Sequence, residues 1–432
     1  MKKVIAIVLI FIISLIFTTE IAWGNTFDTF GYNSRATAMG GAFTAIGDEL
    51  TACYYNPAAL AEAEYIRAEA GYFMATTSLD FNVEDGSDEL EVDDTKGFNL
   101  GLAIPLGEAF GRWVVGFGFH KPQELAVRPR FHTASKPFYL DYSNRTMELI
   151  VLPAIGFSPE LLPELSIGLG ISVFLNTEGS VISPSIPVND YKLALTESDL
   201  TMPTTMAIHA GLLYKLLENL RLGLAFRDEL PIDIETKTIL GSLEMNVVSV
   251  TLYSPRQIAL GVTYVPLEKL TVAADLTWID WSQYTPPFPD ITGDLGESKP
   301  IETNFEDTFN PGLGIEYHLY DFLDLRAGYL FEPSPVPDET LQGTSNILDT
   351  HTHIFSGGFG LFLGELCDIP VLRVLRLDGH FQFVYLTERK VKKNPNLMLE
   401  SDADALNENP GYPGFTIGGN IYNWGTTLSL VF

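Results

Sequence analysis

Beyond its first two dozen residues the chain has no stretch of about 18 continuous apolar residues, which excludes a membrane-spanning helix. Basic residues are scarce. The 26 Lys and Arg stand against 55 Asp and Glu, and the net charge of −29 makes nucleic acid an unsuitable partner. Cysteine is confined to Cys53 and Cys367, far apart in sequence; in an envelope protein they could bridge or remain two free thiols. His351 and His353 stand two apart without the companions a metal centre needs, so they read as rim histidines and no metal is assigned. Ser356 follows them, yet no nucleophile, base and orienting group come together, so neither an enzyme nor a cofactor is called for. No energy-coupling motif is present.

The amino terminus carries Lys2 and Lys3, an apolar run from Val4 to Phe17 and a small-x-small spacing at Ala22-Trp23-Gly24. This is the pattern of a secretory signal over residues 1–24, with the mature chain starting at Asn25. No cysteine follows the cleavage site, so no lipid attachment is expected.

What the chain does have is 46% hydrophobic residues, 12% aromatics and 37 glycines, arranged in repeated alternation. In the last segment Tyr422, Trp424, Leu428, Leu430 and Phe432 share one face, while Asn423, Gly425, Thr427 and Ser429 share the other. The same polarity recurs about fourteen times. Leu165, Ile167, Leu169, Ile171 and Val173 oppose Ser166, Gly168, Gly170 and Ser172, and Leu377, Phe381, Phe383 and Tyr385 oppose Arg376, Asp378, His380 and Gln382. Long loops alternate with short turns, which is the asymmetry of an outer-membrane barrel. The expected fold is an all-β, transmembrane antiparallel β-barrel of about 14 strands, with both chain ends on the periplasmic side and apolar side chains facing lipid.

The faces opposite the lipid hold Arg67, Glu69, Arg221, Arg227, Asp275, Glu316, His318, Asp324, Arg326, Arg376, Asp378 and His380. An arginine facing lipid near the midplane costs about 2–4 kcal/mol, so these point inward. They either form an ion-pair network or line a solute route. Residues 25–60 do not alternate and are rich in small residues. Irregular backbone cannot face hydrocarbon, which leaves the lumen as its place. The second long loop is basic and aromatic: Lys121, Arg128, Arg130 and Lys136 lie among Phe131, Phe138 and Tyr139. That mixture suits an amphiphile with an anionic head, or a loop that contacts lipopolysaccharide phosphates.

The run Arg35-Ala36-x-Ala-Met39-Gly40-Gly41-Ala42, then Ala45-x-Gly47-Asp48, then Tyr55-Asn56-Pro57-Ala58-Ala59-Leu60, resembles the amino-terminal hatch of the FadL family of outer-membrane transporters for long-chain fatty acids and other hydrophobic compounds. The resemblance implies a monomeric barrel over residues 63–432, plugged by a hatch over residues 25–62 in which Gly40, Gly41, Asn56, Pro57 and Ala58 act at the gate. In that family a kinked third strand opens the wall sideways, and Gly116 and Gly118 occupy the third strand here, where glycine permits a kink. The expected function is passive uptake of a hydrophobic small molecule, captured by the loops, held above the hatch and released through the wall. The alternative is a docking or secretion scaffold of the same family that transports nothing. Expected partners are the apolar ligand, outer-membrane lipid and lipopolysaccharide, and barrel-assembly machinery that engages the strand ending on Phe432.

Overall fold

The computed structural model describes residues 30–47, 50–84, 92, 94–108, 110–122, 137–140, 142, 150–174, 177–183, 187–188, 191–192, 196–240, 243–284, 290–293, 303–342, 347–363, 372–397 and 411–432. Fourteen strands close into one antiparallel barrel in sequence order. The first seven are β1 (Arg67–Val83), β2 (Thr95–Gly107), β3 (Gly111–Pro122), β4 (Ile150–Pro159), β5 (Leu165–Phe174), β6 (Thr205–Leu217) and β7 (Leu220–Arg227). The second seven are β8 (Gln257–Leu267), β9 (Leu270–Ile279), β10 (Thr308–Tyr320), β11 (Leu323–Glu332), β12 (Thr352–Phe362), β13 (Val374–Lys392) and β14 (Gly414–Val431). β1 and β14 seal the ring in a ladder from Arg67 opposite Val431 to Val83 opposite Phe415. Closure leaves no edge, the condition for a sheet to sit in hydrocarbon.

Alternation decides which way each strand faces. Leu222, Leu260, Leu313 and Phe381 are 38%, 57%, 54% and 50% exposed on the outer wall, while Glu316, Asp324, Arg326 and Asp378 are buried inside it. Tyr214, Tyr264, Tyr317, Tyr320 and Phe322 are exposed near the short turns and form one aromatic girdle. Those turns are tight: Glu218-Asn219 joins β6 to β7, Glu268-Lys269 joins β8 to β9, and Asp321-Phe322 joins β10 to β11.

Above the opposite rim stands a five-stranded sheet in the order 290–293, 243–254, 230–240, 196–202, 177–183. The sequence between Pro231 and Pro255 reads as an extension of the β7 hairpin above the membrane, and the paired strands 230–240 and 243–254 occupy it. Alternation does not predict the strands Thr177–Ser183 and Thr196–Met202, which carry too few apolar residues to alternate against lipid.

Candidate transport lumen

Residues 30–47 and 50–63 lie inside the ring, against the lumen-facing glycines of the wall. They form two short helices, Ser34–Ala38 and Ala52–Tyr55, and a 3-10 turn, Pro57–Glu62. Gly40 adopts φ +66°, and a Cβ there would strike the Tyr329 backbone of β11 at 2.8 Å, so the spot admits only glycine. Gly41, at φ +73°, completes the left-handed turn. Glycines on the lumen face of the wall give this segment its room. Gly168 of β5 lies against Pro57 and Ala58, and Gly211 of β6 against Asn56.

Asn56 is fully buried, and every polar atom of its side chain is engaged. Its Nδ2 donates to the Thr44 carbonyl at 2.7 Å and to the Leu212 carbonyl of β6 at 3.0 Å, while Oδ1 accepts from Ala58 N at 3.1 Å. That last bond caps the 3-10 turn, and Pro57 begins it at a position where a missing N–H costs nothing. The Asn-Pro-Ala motif thus fastens the segment to itself and to the wall at once.

Across the lumen the fastening is ionic. Arg35 grips Glu316 of β10 with both ends of its fork, Nη2 to Oε1 at 2.6 Å and Nε to Oε2 at 2.7 Å. Arg326 of β11 reaches Glu316 at 2.6 Å, Asp378 of β13 at 2.6 Å and Asp324 at 3.3 Å. Arg376 binds the other oxygen of Asp378 at 2.7 Å, and His318 meets Asp324 at 2.6 Å. Ser34 is held by Thr427 of β14 and His380 of β13, and Asn33 donates to Glu69 of β1. Six of the twelve inward groups read from the sequence, Glu316, His318, Asp324, Arg326, Arg376 and Asp378, therefore form one ion-pair network, which Arg35 joins to the amino-terminal segment. Others act outside it: Arg221 faces Glu62 at 3.9 Å, Asp275 accepts from the amides of Phe43 and Thr44, and Arg227 lies over the Tyr54 ring at 3.9 Å.

The segment divides the lumen. On the periplasmic side a vestibule of about 360 Å³ is lined by charged groups that include Arg67, Glu69, Arg221, Glu316 and Asp324. On the extracellular side a cavity of about 130 Å³ lies among Phe30, Tyr54, Tyr55, His209, Asp275 and Asn310, with Ile279, Leu330 and Ile354 toward its mouth. An apolar cap covers that mouth. Phe138, Tyr139, Trp281, Tyr284, Phe305, Leu341 and Leu348 pack there with Phe415 and Ile417, and the Tyr284 and Phe305 rings stack at 4.7 Å. Phe138–Tyr139 pairs in parallel with Ile347–Leu348, and the Tyr139 hydroxyl donates to the Asp80 carbonyl at 2.6 Å. Arg389 ties the cap down through Asp338 at 2.6 Å and the Asp349 carbonyl at 3.0 Å. Burial pushes the Asp349 carboxyl up to about 6.

Several expectations meet a different geometry. Phe138 and Tyr139 are buried in the cap and not free in a loop, because their apolar surface is better spent on Leu348 and Phe415. Arg128, Arg130, Phe131 and Lys136 lie outside the described residues, as does the Lys121 side chain at the end of β3. The third strand holds no gap: β3 is paired with β2 and β4 on both sides of Gly116 and Gly118. Those glycines make room instead, Gly116 beneath Cys53 and Leu60, Gly118 beneath the Tyr32 hydroxyl. Cys53 is a buried free thiol, pushed up to about 12 by burial and by the Glu69 charge, whereas Cys367 lies outside the described residues. His353 meets the Tyr329 hydroxyl at 2.8 Å on the lipid side, the face opposite Ser356.

The interruption that does exist lies one strand further on. β4 and β5 keep a constant register, but the ladder skips the pairs Leu152–Ser172 and Pro153–Ile171. Proline supplies no N–H, so a strand interior carrying it loses ladder bonds there. Ser172, at this seam, contacts His209 Nε2 at 2.8 Å, and His209 lines the extracellular cavity. Outside the wall, Ile155 and Leu169 open an apolar groove of about 420 Å³ that reaches Trp113 and Phe226. The signal in the sequence is Pro153 itself, within an otherwise apolar strand.

A profile of the outer membrane protein transport protein family (OMPP1/FadL/TodX) matches residues 14–365. The chain belongs to this family. Like other OMPP1/FadL/TodX members it is an outer-membrane transport barrel and not an enzyme. It is 24% identical to alkane uptake protein A of Marinobacter nauticus over 403 residues, 87% of each chain. Its fold is similar to that of a Pseudomonas aeruginosa FadL homologue (TM-score 0.61, 15% identity, 92% of this chain and 97% of that one). It is similar as well to the Pseudomonas putida toluene transporter TodX (TM-score 0.57, 16% identity, 93% and 99%).

Proposed function

We propose that this barrel is a passive channel that takes hydrophobic small molecules across the outer membrane, with residues 30–63 as its hatch. The loops of the apolar cap admit the molecule, the extracellular cavity holds it, and it leaves sideways into the bilayer. The observation that carries this reading is the apolar, aromatic cap that covers the extracellular cavity, set against the charged vestibule on the other side of the segment. A solute with roughly 250 Å² of apolar surface would forfeit about 6 kcal/mol on entering a watery charged vestibule, at about 25 cal/mol per Å². Passing into hydrocarbon forfeits nothing comparable. The seam at Pro153 is the supported exit, because it adjoins the cavity through Ser172 and His209 and opens toward an apolar groove. The names of the alkane and toluene relatives favour a hydrocarbon over a polar solute.

Proteoliposomes holding the full chain should equilibrate with radiolabelled toluene or octane faster than empty liposomes. A rate equal to that of the empty vesicles would favour the scaffold reading and end this one.

A further inference from the structure

The extracellular cavity is not uniformly greasy, and its polar atoms are unevenly used. Several donors on its lining are spent. Thr37 Oγ1 donates to the Asn33 carbonyl at 2.7 Å, Gln382 Nε2 to Ser356 Oγ at 3.2 Å, and the amides of Phe43 and Thr44 both go to Asp275 Oδ2 at 2.9 Å. The Arg227 guanidinium is laid over Tyr54. Two acceptors are left over: Asp275 Oδ1 and Asn310 Oδ1 are buried, and neither receives a hydrogen bond among the described residues. Both residues line the cavity. Asp275 is opposite Gly312 in the β9–β10 ladder and Asn310 lies two residues along, so the two are diagonal neighbours, with Cα atoms roughly 7–8 Å apart. A buried acceptor without a donor is costly, and the cost is recovered by whatever brings the donor.

We propose that this cavity selects apolar molecules that carry a hydrogen-bond donor, hydroxylated hydrocarbons above all, and that Asp275 and Asn310 are the selecting residues. The inference rests on the uptake reading and narrows its substrate class. A carboxylate would bring more acceptors, and a charge, to a place already rich in both. A plain hydrocarbon would leave both oxygens unserved. A hydroxyl serves one of them while the rest of the molecule keeps its contact with Phe30, Tyr54 and Ile279. The size is consistent, since a cavity of about 130 Å³ suits a single-ring molecule: benzene fills an engineered one of about 150 Å³.

The test is equilibrium binding of toluene, benzyl alcohol and benzoate to the full chain in lipid nanodiscs, corrected with empty nanodiscs. Benzyl alcohol is expected to bind about tenfold tighter than toluene, the worth of one net hydrogen bond, and benzoate weakest. Asp275→Asn can keep an oxygen for the amides of Phe43 and Thr44 while turning an N–H2 group toward the ligand. It should therefore lower the advantage of the alcohol, Asn310 Oδ1 remaining open to the hydroxyl, and improve benzoate. Asn310→Leu, a second variant should the first not fold, should lower the alcohol's advantage without helping benzoate. Toluene binding with no advantage for the alcohol, as ordered water on both oxygens would produce, overturns this inference and spares the uptake reading. So does an advantage that is undiminished in both variants. Failure of all three probes to bind overturns both.

Discussion

Replacing Glu316 by glutamine puts the fastening of the hatch to a direct test. The carboxylate faces two guanidiniums at once, Arg35 at 2.6 and 2.7 Å and Arg326 at 2.6 Å. Its side chain is 1% exposed and that of Arg35 8%. Removing one partner from a buried pair costs about 3–5 kcal/mol, because the remaining charge is left uncompensated. The vestibule touches both Arg35 and Glu316, so water relieves part of that, and the lower figure, about 3 kcal/mol, applies. Arg326 keeps Asp378 and Asp324, so the penalty falls on Arg35 and hence on the hatch. Three kcal/mol multiplies the displaced-to-seated ratio roughly 150-fold, at 1.36 kcal/mol per factor of ten. Hydrogen exchange reads this directly. The amides of Thr37 and Met39, bonded within the Ser34 helix, should exchange about a hundredfold faster in Glu316→Gln, while the β10 ladder keeps its protection. Unchanged exchange at those amides in a folded barrel would refute the reasoning. The doubly apolar variant Arg35→Met with Glu316→Met should recover most of the protection, since neither charge then remains to be buried.

Pro153→Val returns an N–H to β4 and should complete the ladder to Ile171; uptake in proteoliposomes is expected to fall severalfold with no loss of barrel stability. Uptake at the wild-type rate would remove the seam from the route. The cap should respond to pH through Asp349, whose folded value near 6 lies above its ordinary 3.8 because of burial. The folded state then holds the proton more tightly, so this contribution is whole below about pH 4 and is lost as pH rises through 6. It amounts at most to about 3 kcal/mol, at 1.36 kcal/mol per pH unit. Proteolysis of the cap should therefore accelerate between pH 4 and 6.5, and Asp349→Asn should flatten the profile; a flat wild-type profile would refute it.

The barrel was legible because lipid imposes a period of two on every wall strand, and no other constraint overrides it. Tyr422, Trp424 and Leu428 point outward as their alternation requires. The place of the amino-terminal segment was legible for a different reason: Asn56, Pro57 and Gly40 each perform a backbone task that few other residues can. Period and turn chemistry say nothing about which loop packs on which, so Phe138 and Tyr139 read as a ligand surface when their partners, Ile347 and Leu348, lie some two hundred residues away. The glycines of β3 misled in the same way. A lumen glycine reports the close approach of another chain segment as readily as a kink, and Gly116 faces Leu60.

The two halves of the proposed hatch are held by ties of unlike burial, and that asymmetry gives a prediction for which edge is released first. Toward β10–β14 it is held by Arg35 on Glu316 and by Ser34 between Thr427 and His380. Toward β3–β6 the polar ties are more exposed: Glu62 meets Lys215 at 2.7 Å, Arg112 reaches the Ala61 carbonyl at 3.4 Å and Asn56 bonds to the Leu212 carbonyl, while Cys53, Leu60 and Ala58 pack with Val114, Leu152 and Leu213. An apolar molecule in the cavity can replace dispersion contacts with its own, but it offers nothing to a buried guanidinium. The side nearest the Pro153 seam should therefore swing while the ionic side acts as the hinge. Two cross-links separate the halves. Ser34→Cys with Thr427→Cys joins side chains whose hydroxyl oxygens are 3.0 Å apart and should leave uptake intact. Gly116→Cys, whose Cβ would reach the Sγ of the native Cys53 past the flexible tip of Leu60, should form a disulfide with Cys53 and stop uptake until it is reduced. If the first cross-link blocks transport and the second does not, the hinge and the moving edge have been assigned the wrong way round.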